Sequence, residues 1–154
     1  MTRLASDPVQ TAVYAALQGS TGLAAVFATM GVQKVGGLLP VYDNVPRNPS
    51  TGMPTKSYPF LAFGDGQDVP ASPTNDCDAE VETFITVEAW DDANARGKTG
   101  AKKLAAAIVV AAARILTVPG WSMTVAGVDS SRHLPIADGV ARSVVTLRYL
   151  LDPV

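Results

Sequence analysis

The chain has 154 residues, of which 47% are hydrophobic and only 17% charged, with a formal net charge of −2 and a pI of about 5.2. That length suits a single domain, 1–154, with one core, and the acidic balance excludes a nucleic-acid binder that works by neutralising phosphates. A charged share below the usual quarter or so leaves more apolar surface than one small core needs. An oligomer is therefore expected, because obligate interfaces resemble a core cut in half, with a monomer of unusually apolar surface as the alternative.

Ser6-Asp7-Pro8 reads as a helix start, a capping residue followed by proline. Val9, Val13, Ala16 and Leu17 mark one face, and Gly19 ends the helix. A second short helix is expected from Gly22 to Met30, with Leu23, Val26, Phe27 and Met30 at helical spacing. Gly31 and Gly36-Gly37 punctuate the next segment, and Leu39 to Tyr42 reads as a short strand.

Asn44 to Pro59, rich in proline, reads as a long loop, and Phe60 to Phe63 as a strand closed by Gly64-Asp65-Gly66. Another loop is expected up to Asp78. Loops of about 15 residues without secondary structure are uncommon and are usually functional or disordered. The candidate partner-binding residues are placed on these two: Arg47, Met53, Lys56, Asp65 and Asp68.

From Glu80 the pattern is strict. Val81, Thr83, Ile85, Val87 and Ala89 alternate with Glu82, Phe84, Thr86, Glu88 and Trp90, which predicts a strand. Aromatics among carboxylates suggest a face available to another subunit, with cover by the N-terminal helices as the alternative. Phe84 and Trp90 are thus candidate subunit-interface residues.

Asp91-Asp92-Ala93-Asn94 reads as a turn into a helix of about 19 residues from Lys98, roughly 28 Å long. Ala101, Leu104, Ala105, Ile108, Ala112 and Ile115 form its inner stripe. Val109, Val110 and Ala113 widen the apolar arc, which marks either an interface or a deeply covered helix. Lys98, Lys102 and Lys103 read as a solvated helix face, with an acidic partner as the alternative. Pro119-Gly120 ends the helix; Trp121 to Val128 and Val140 to Leu151 are the last strands, with a turn region from Leu134 to Gly139 between them. The expected fold is α+β: a mainly antiparallel sheet of about four to five strands, with one long helix packed on a face and short N-terminal helices.

The residues offer little for chemistry. His133, the only histidine, lies beside Ser130, Ser131 and Arg132 in a strand connection without a nucleophile elbow. Asp65, Asp68, Asp76, Asp78 and Glu80 have no calcium-loop spacing; Asp76, Asp78 and Glu80, at a period of two, read as a solvated edge that resists aggregation, with a cation site as the alternative. Gly97-Lys98-Thr99-Gly100 is only a fragment of a phosphate loop, set after two aspartates that would repel phosphate. Cys77 is the single cysteine, so no intrachain disulfide can form. No catalytic residue, cofactor or metal is expected. The sequence lacks a signal-peptide pattern and an apolar run long enough for a bilayer, so a soluble product of a reducing cytoplasm, with no membrane partner, is expected.

Several short motifs occur together in order: Asp7-Pro8-Val9 with Tyr14 and Leu17; Val41-Tyr42-Asp43-Asn44-Val45-Pro46; and Tyr58-Pro59-Phe60-Leu61-Ala62-Phe63-Gly64. Val87-Glu88-Ala89-Trp90, Ala95-Arg96-Gly97, Ala101-Lys102-Lys103-Leu104-Ala105 and Val145-Thr146-Leu147-Arg148-Tyr149 come after them. In this the chain resembles the tail-completion, or tail-terminator, proteins of long-tailed bacteriophages and gene-transfer particles. The family often carries a histidine near the start of the third strand, where Glu82 or a neighbour stands here. The resemblance implies a structural virion protein, assembled in the host cytoplasm, that forms a ring, commonly a hexamer, at the head-proximal end of the tail tube. The implied partners are copies of itself, the tail-tube protein and a head-completion or connector protein, while DNA passes through the lumen without specific binding. The alternatives are a head-closure or neck protein, and a small ligand-binding α+β domain.

Overall fold

The structure, a computed structural model, describes residues 5–45, 47–71 and 80–154. In chain order the elements are α1 (Ser6–Gln18), α2 (Thr21–Thr29), β1 (Val41–Tyr42), β2 (Phe60–Phe63), β3 (Gln67–Pro70) and β4 (Val81–Asp92). They continue with α3 (Ala93–Arg96), α4 (Thr99–Ala112), β5 (Trp121–His133) and β6 (Val140–Pro153). The strands form one sheet in the order β1-β2-β4-β6-β5, with β3 also on β4. β2 pairs with Val87 to Trp90 and β3 with Val81 to Phe84, so the two strands share one edge of β4.

Alternation decides the layers. Val81, Ile85, Val87 and Ala89 of β4 join Val145, Leu147, Tyr149 and Leu151 of β6 in the main core. Val9, Val13 and Leu17 of α1, Leu23 and Phe27 of α2, and Leu104 and Ile108 of α4 close that core from one side. β2 is buried at every position because it faces two clusters: Leu61 and Phe63 enter the main core, Phe60 and Ala62 a second one on the opposite face.

Several expectations are corrected. The sheet has six strands and is mixed, since β1 runs parallel to β2. β3 lies where a loop was expected, and β1 covers only Val41–Tyr42. β4 runs on through Asp91 and Asp92, and α3 replaces the expected turn. β5 continues past Val128 to His133, because its far half still pairs with Ser143 to Thr146 of β6. Ser6 is not the cap of α1. Its N-cap is Ala5, without a side-chain bond, and the Ser6 amide instead donates to Asp68 Oδ2 of β3 at 3.1 Å. Asp76, Cys77 and Asp78 lie outside the described residues.

α4 has 14 residues, shorter than the expected helix. The buried Tyr149 hydroxyl donates to the Ala112 carbonyl at 2.6 Å, and the Leu116 amide donates to Met123 Sδ at 3.2 Å. Both satisfy backbone groups that another helical turn would have paired. Burial pushes the Tyr149 hydroxyl pKa well up, so this donor stays protonated. Ile115, expected on the inner stripe, lies past the helix end and is exposed.

The start of α4 rests on a buried ion pair. Asp91 is fully buried, and Arg96 reaches it with Nε to Oδ2 at 2.9 Å and a terminal nitrogen to Oδ1 at 2.6 Å. This hydrogen bond raises the Arg96 pKa above the ordinary guanidinium value, against a smaller opposing effect of burial. A Cβ on Gly100 would collide with Asp91 Oδ2, which explains a glycine inside the helix. An alanine inside a helix is ordinarily favoured over glycine by about 1 kcal/mol. Gly100→Ala is expected to cost about 1–3 kcal/mol instead, as overpacking does. Gly127→Ala, with open space around its Cβ position, is expected to be near neutral. Chemical denaturation measures both, and a gain in stability for Gly100→Ala would overturn this account.

Candidate interaction surface

The sheet face turned away from the helices carries the other half of the alternation. Glu82, Phe84, Thr86 and Glu88 of β4 are partly exposed there. Arg142 pairs with Glu88 and Arg148 with Glu82 across the β4–β6 ladder, and the Thr86 and Thr146 hydroxyls lie 3.4 Å apart. In register Glu88 faces Val144 and Glu82 faces Leu150, so each ion pair is a diagonal neighbour within reach of a long side chain. The carboxylates of this face are therefore already matched by the chain's own arginines.

At one end of that face stands an aromatic stack. Tyr58 lies over Phe60 with centroids 5.6 Å apart and Phe60 over Trp90 at 5.8 Å, while Tyr42 meets Phe60 edge-on at 5.9 Å. The Trp90 indole donates to Glu88 Oε2 at 3.1 Å. Arg47 and Arg142 both place guanidinium carbons over the Trp90 ring, 5.3 and 4.7 Å from its centroid. Burial raises the Tyr58 pKa; the Arg47 charge opposes the shift and the Asp92 charge adds to it.

Three of the five expected partner-binding residues gather around this stack. Arg47 also donates to the Gly52 carbonyl at 2.8 Å, and an Asn48 amide bond to the Met53 carbonyl at 2.9 Å closes the loop into a compact turn. Arg47 and Met53 line a 210 Å³ hollow with Trp90, Pro135, Val140 and Arg142. Lys56 lies 4.9 Å above the Tyr42 ring. Asp65 and Asp68 lie elsewhere, Asp65 in the turn between β2 and β3 and Asp68 beside Thr83 toward the start of β4. Asp68 holds α1 and accepts from the Thr83 hydroxyl at 2.7 Å, so it serves the fold, while Asp65 is exposed.

The expected interface residues also separate. Trp90 is only 6% exposed, covered by Tyr42, Tyr58, Phe60 and Val140 and not by the N-terminal helices. Phe84 is partly exposed on the same face. Val109 and Ala113 pack against the main core, whereas Val110 is 78% exposed.

Sequence reading missed Arg142, Tyr42, Tyr58 and Phe60 as members of the stack. Their convergence depends on a loop that returns from β1 to β2, and no local period reports it. The turn between β5 and β6 did carry a signal. Asp138-Gly139 is a hairpin dipeptide, and both residues adopt positive φ, 52° and 72°.

His133 Nδ1 lies 2.7 Å from the Ser143 hydroxyl, its in-register neighbour. No carboxylate is bonded to that imidazole among the described residues, so the pair lacks the third group of a nucleophilic triad. Gly97 has a φ of 58° and makes the bend between α3 and α4, and Gly100 abuts the Asp91 carboxylate, where a phosphate would be repelled. Among the described residues no three of His, Cys, Asp and Glu cluster to hold a metal ion, and no single helix is long and apolar enough to cross a membrane.

Known proteins share both the sequence pattern and the fold. The family model described as "Tail completion protein gp17" matches residues 11–152. A chain from the solved structure "Virion of native gene transfer agent (GTA) particle" shares the fold, with a TM-score of 0.68, 22% identity and 93% of each chain covered. No curated protein matches.

Trp90→Ala is expected to cost about 3–5 kcal/mol, the usual figure for a large buried aromatic. Arg47→Ala should cost no more than about 1 kcal/mol, the value of an exposed cation–π contact. Urea denaturation followed by tryptophan fluorescence and circular dichroism compares them. Equal losses would make Arg47 a structural group and remove it as a candidate for partner contact.

Proposed function

The chain belongs to the tail completion protein gp17 family, and from that premise we propose that it is a structural virion protein completing a phage-type tail. In this reading a single-domain subunit assembles into a ring, a hexamer, at the head-proximal end of the tail tube. One ring surface repeats the mating face of the tube subunit, and the opposite surface lacks it, so growth stops there. The opposite surface then receives a head-side connector protein, and DNA passes through the lumen without specific contacts.

The observation that carries the reading is the family match across residues 11–152. The surface chemistry is consistent with it. The outer sheet face has its charges paired internally, which lowers the desolvation cost of covering it. The turn carrying Arg47, Met53 and Lys56 stands over a rigid aromatic base, so these side chains are presented with little left to order on binding.

Light scattering after size exclusion, alone and with tail-tube protein, is the first measurement. A species that stays monomeric in both would contradict the ring. Arg47→Glu with Lys56→Glu is expected to abolish pull-down of one partner, tube protein or head-side connector, while leaving the circular dichroism spectrum unchanged. Retention of only a head-side partner by the wild type, with no affinity for tube protein, would instead favour a head-closure role.

A further inference from the structure

The α4 stripe left open to solvent and the groove between α1 and β1 are complementary, and they are two different surfaces with α1 between them. α1 packs on β4, β1 and α4, and α4 packs on β4, β6 and β5; Val110 and Arg114 border a hollow with Ala15 and Ala16 of α1, whereas the groove lies between α1 and β1. Lys102, Lys103, Ala106, Val110 and Arg114 are exposed at helical spacing along and just beyond α4. Among the described residues none of these three cations pairs with a carboxylate. Val110, at 78% exposure, stands between them.

α1 and β1 border a 560 Å³ groove whose walls include Asp7, Gln10, Tyr14, Val41, Tyr42 and Asp43. Asp7 and Asp43 are exposed, and among the described residues no cation pairs with either. Two carboxylates thus flank an aromatic and aliphatic floor.

We infer that the occupant of this groove is α4 of a second copy of the chain. Val110 inserts against Tyr14 and Val41, and Lys102 or Lys103 meets Asp7 and Asp43. Self-association through two different surfaces is heterologous, the arrangement that closes into a ring when the rotation per subunit allows. A two-fold dimer would need one self-complementary patch. Among the described residues the charged groups of the α4 stripe are cations and those lining the groove are carboxylates, so pairing either surface with itself would bring like charges together. The inference rests on the ring reading and specifies its subunit contact.

Charge exchange and cross-linking test it. Lys102→Glu with Lys103→Glu, and separately Asp7→Lys with Asp43→Lys, should each reduce the ring to monomers at concentrations where the wild type is assembled. Combining all four substitutions should restore it. Circular dichroism checks that each variant is folded. In a Cys77→Ser background, Val110→Cys with Gln10→Cys should form disulfide-linked ladders beyond the dimer, because every copy carries both halves of the contact. Assembly unaffected by either charge reversal, or a ladder that stops at dimer, overturns the contact while leaving the ring itself standing. A wild type that is monomeric even with tube protein removes both.

Discussion

From Val81 to Asp92 every residue of β4 pairs in register with β6, from Val81 opposite Leu151 to Asp92 opposite Val140. Because side chains alternate with period two, this ladder separates two chemistries and holds them apart. One face is aliphatic and receives three helices. The other carries two arginine–glutamate pairs and an aromatic stack. A slip of one residue would bury the glutamates and expose the core, so the register is fixed by burial and needs no special turn to hold it.

The ends of the ladder settle where the remaining elements go. At the β4 end, the buried Asp91 carboxylate is bonded by Arg96 and abutted by Gly100, which sets α3 and the first turn of α4. At the other, Asp68 bridges β3 to the start of α1 and to Thr83. Tyr149 of β6 takes the last carbonyl of α4. Both α1 and α4 are thus tied to the sheet by a polar bond as well as by apolar packing. Such bonds fix orientation, and burial supplies most of the stabilisation.

This construction suits a structural tail protein. The polar groups near the core are consumed in holding elements together, and the open side chains lie on turns and helix flanks. The compact turn over Trp90 and the exposed stripe of α4 are different surfaces on one rigid body. The proposed ring between two unlike neighbours would need several such surfaces, each with its own chemistry.

Much of this was legible in the chain itself. The alternation from Val81 to Trp90 determined β4 and its two faces, and the periodic apolar residues determined α1, α2 and most of α4. Those signals are local, since each depends on neighbours two to four positions away. The resemblance of short motifs in order led to the family. Tertiary structure alone decided the rest. α4 stops at Ala112 because Tyr149 and Met123 take up its terminal backbone groups. β3 exists because β4 offers an unpaired edge below β2. Asp68 became a helix anchor because β3 pairs beside Thr83 and meets the start of α1, and Arg47 came to lie over Trp90 because the chain between β1 and β2 returns across the sheet. These partners are remote in sequence, and no periodicity encodes which of them meet.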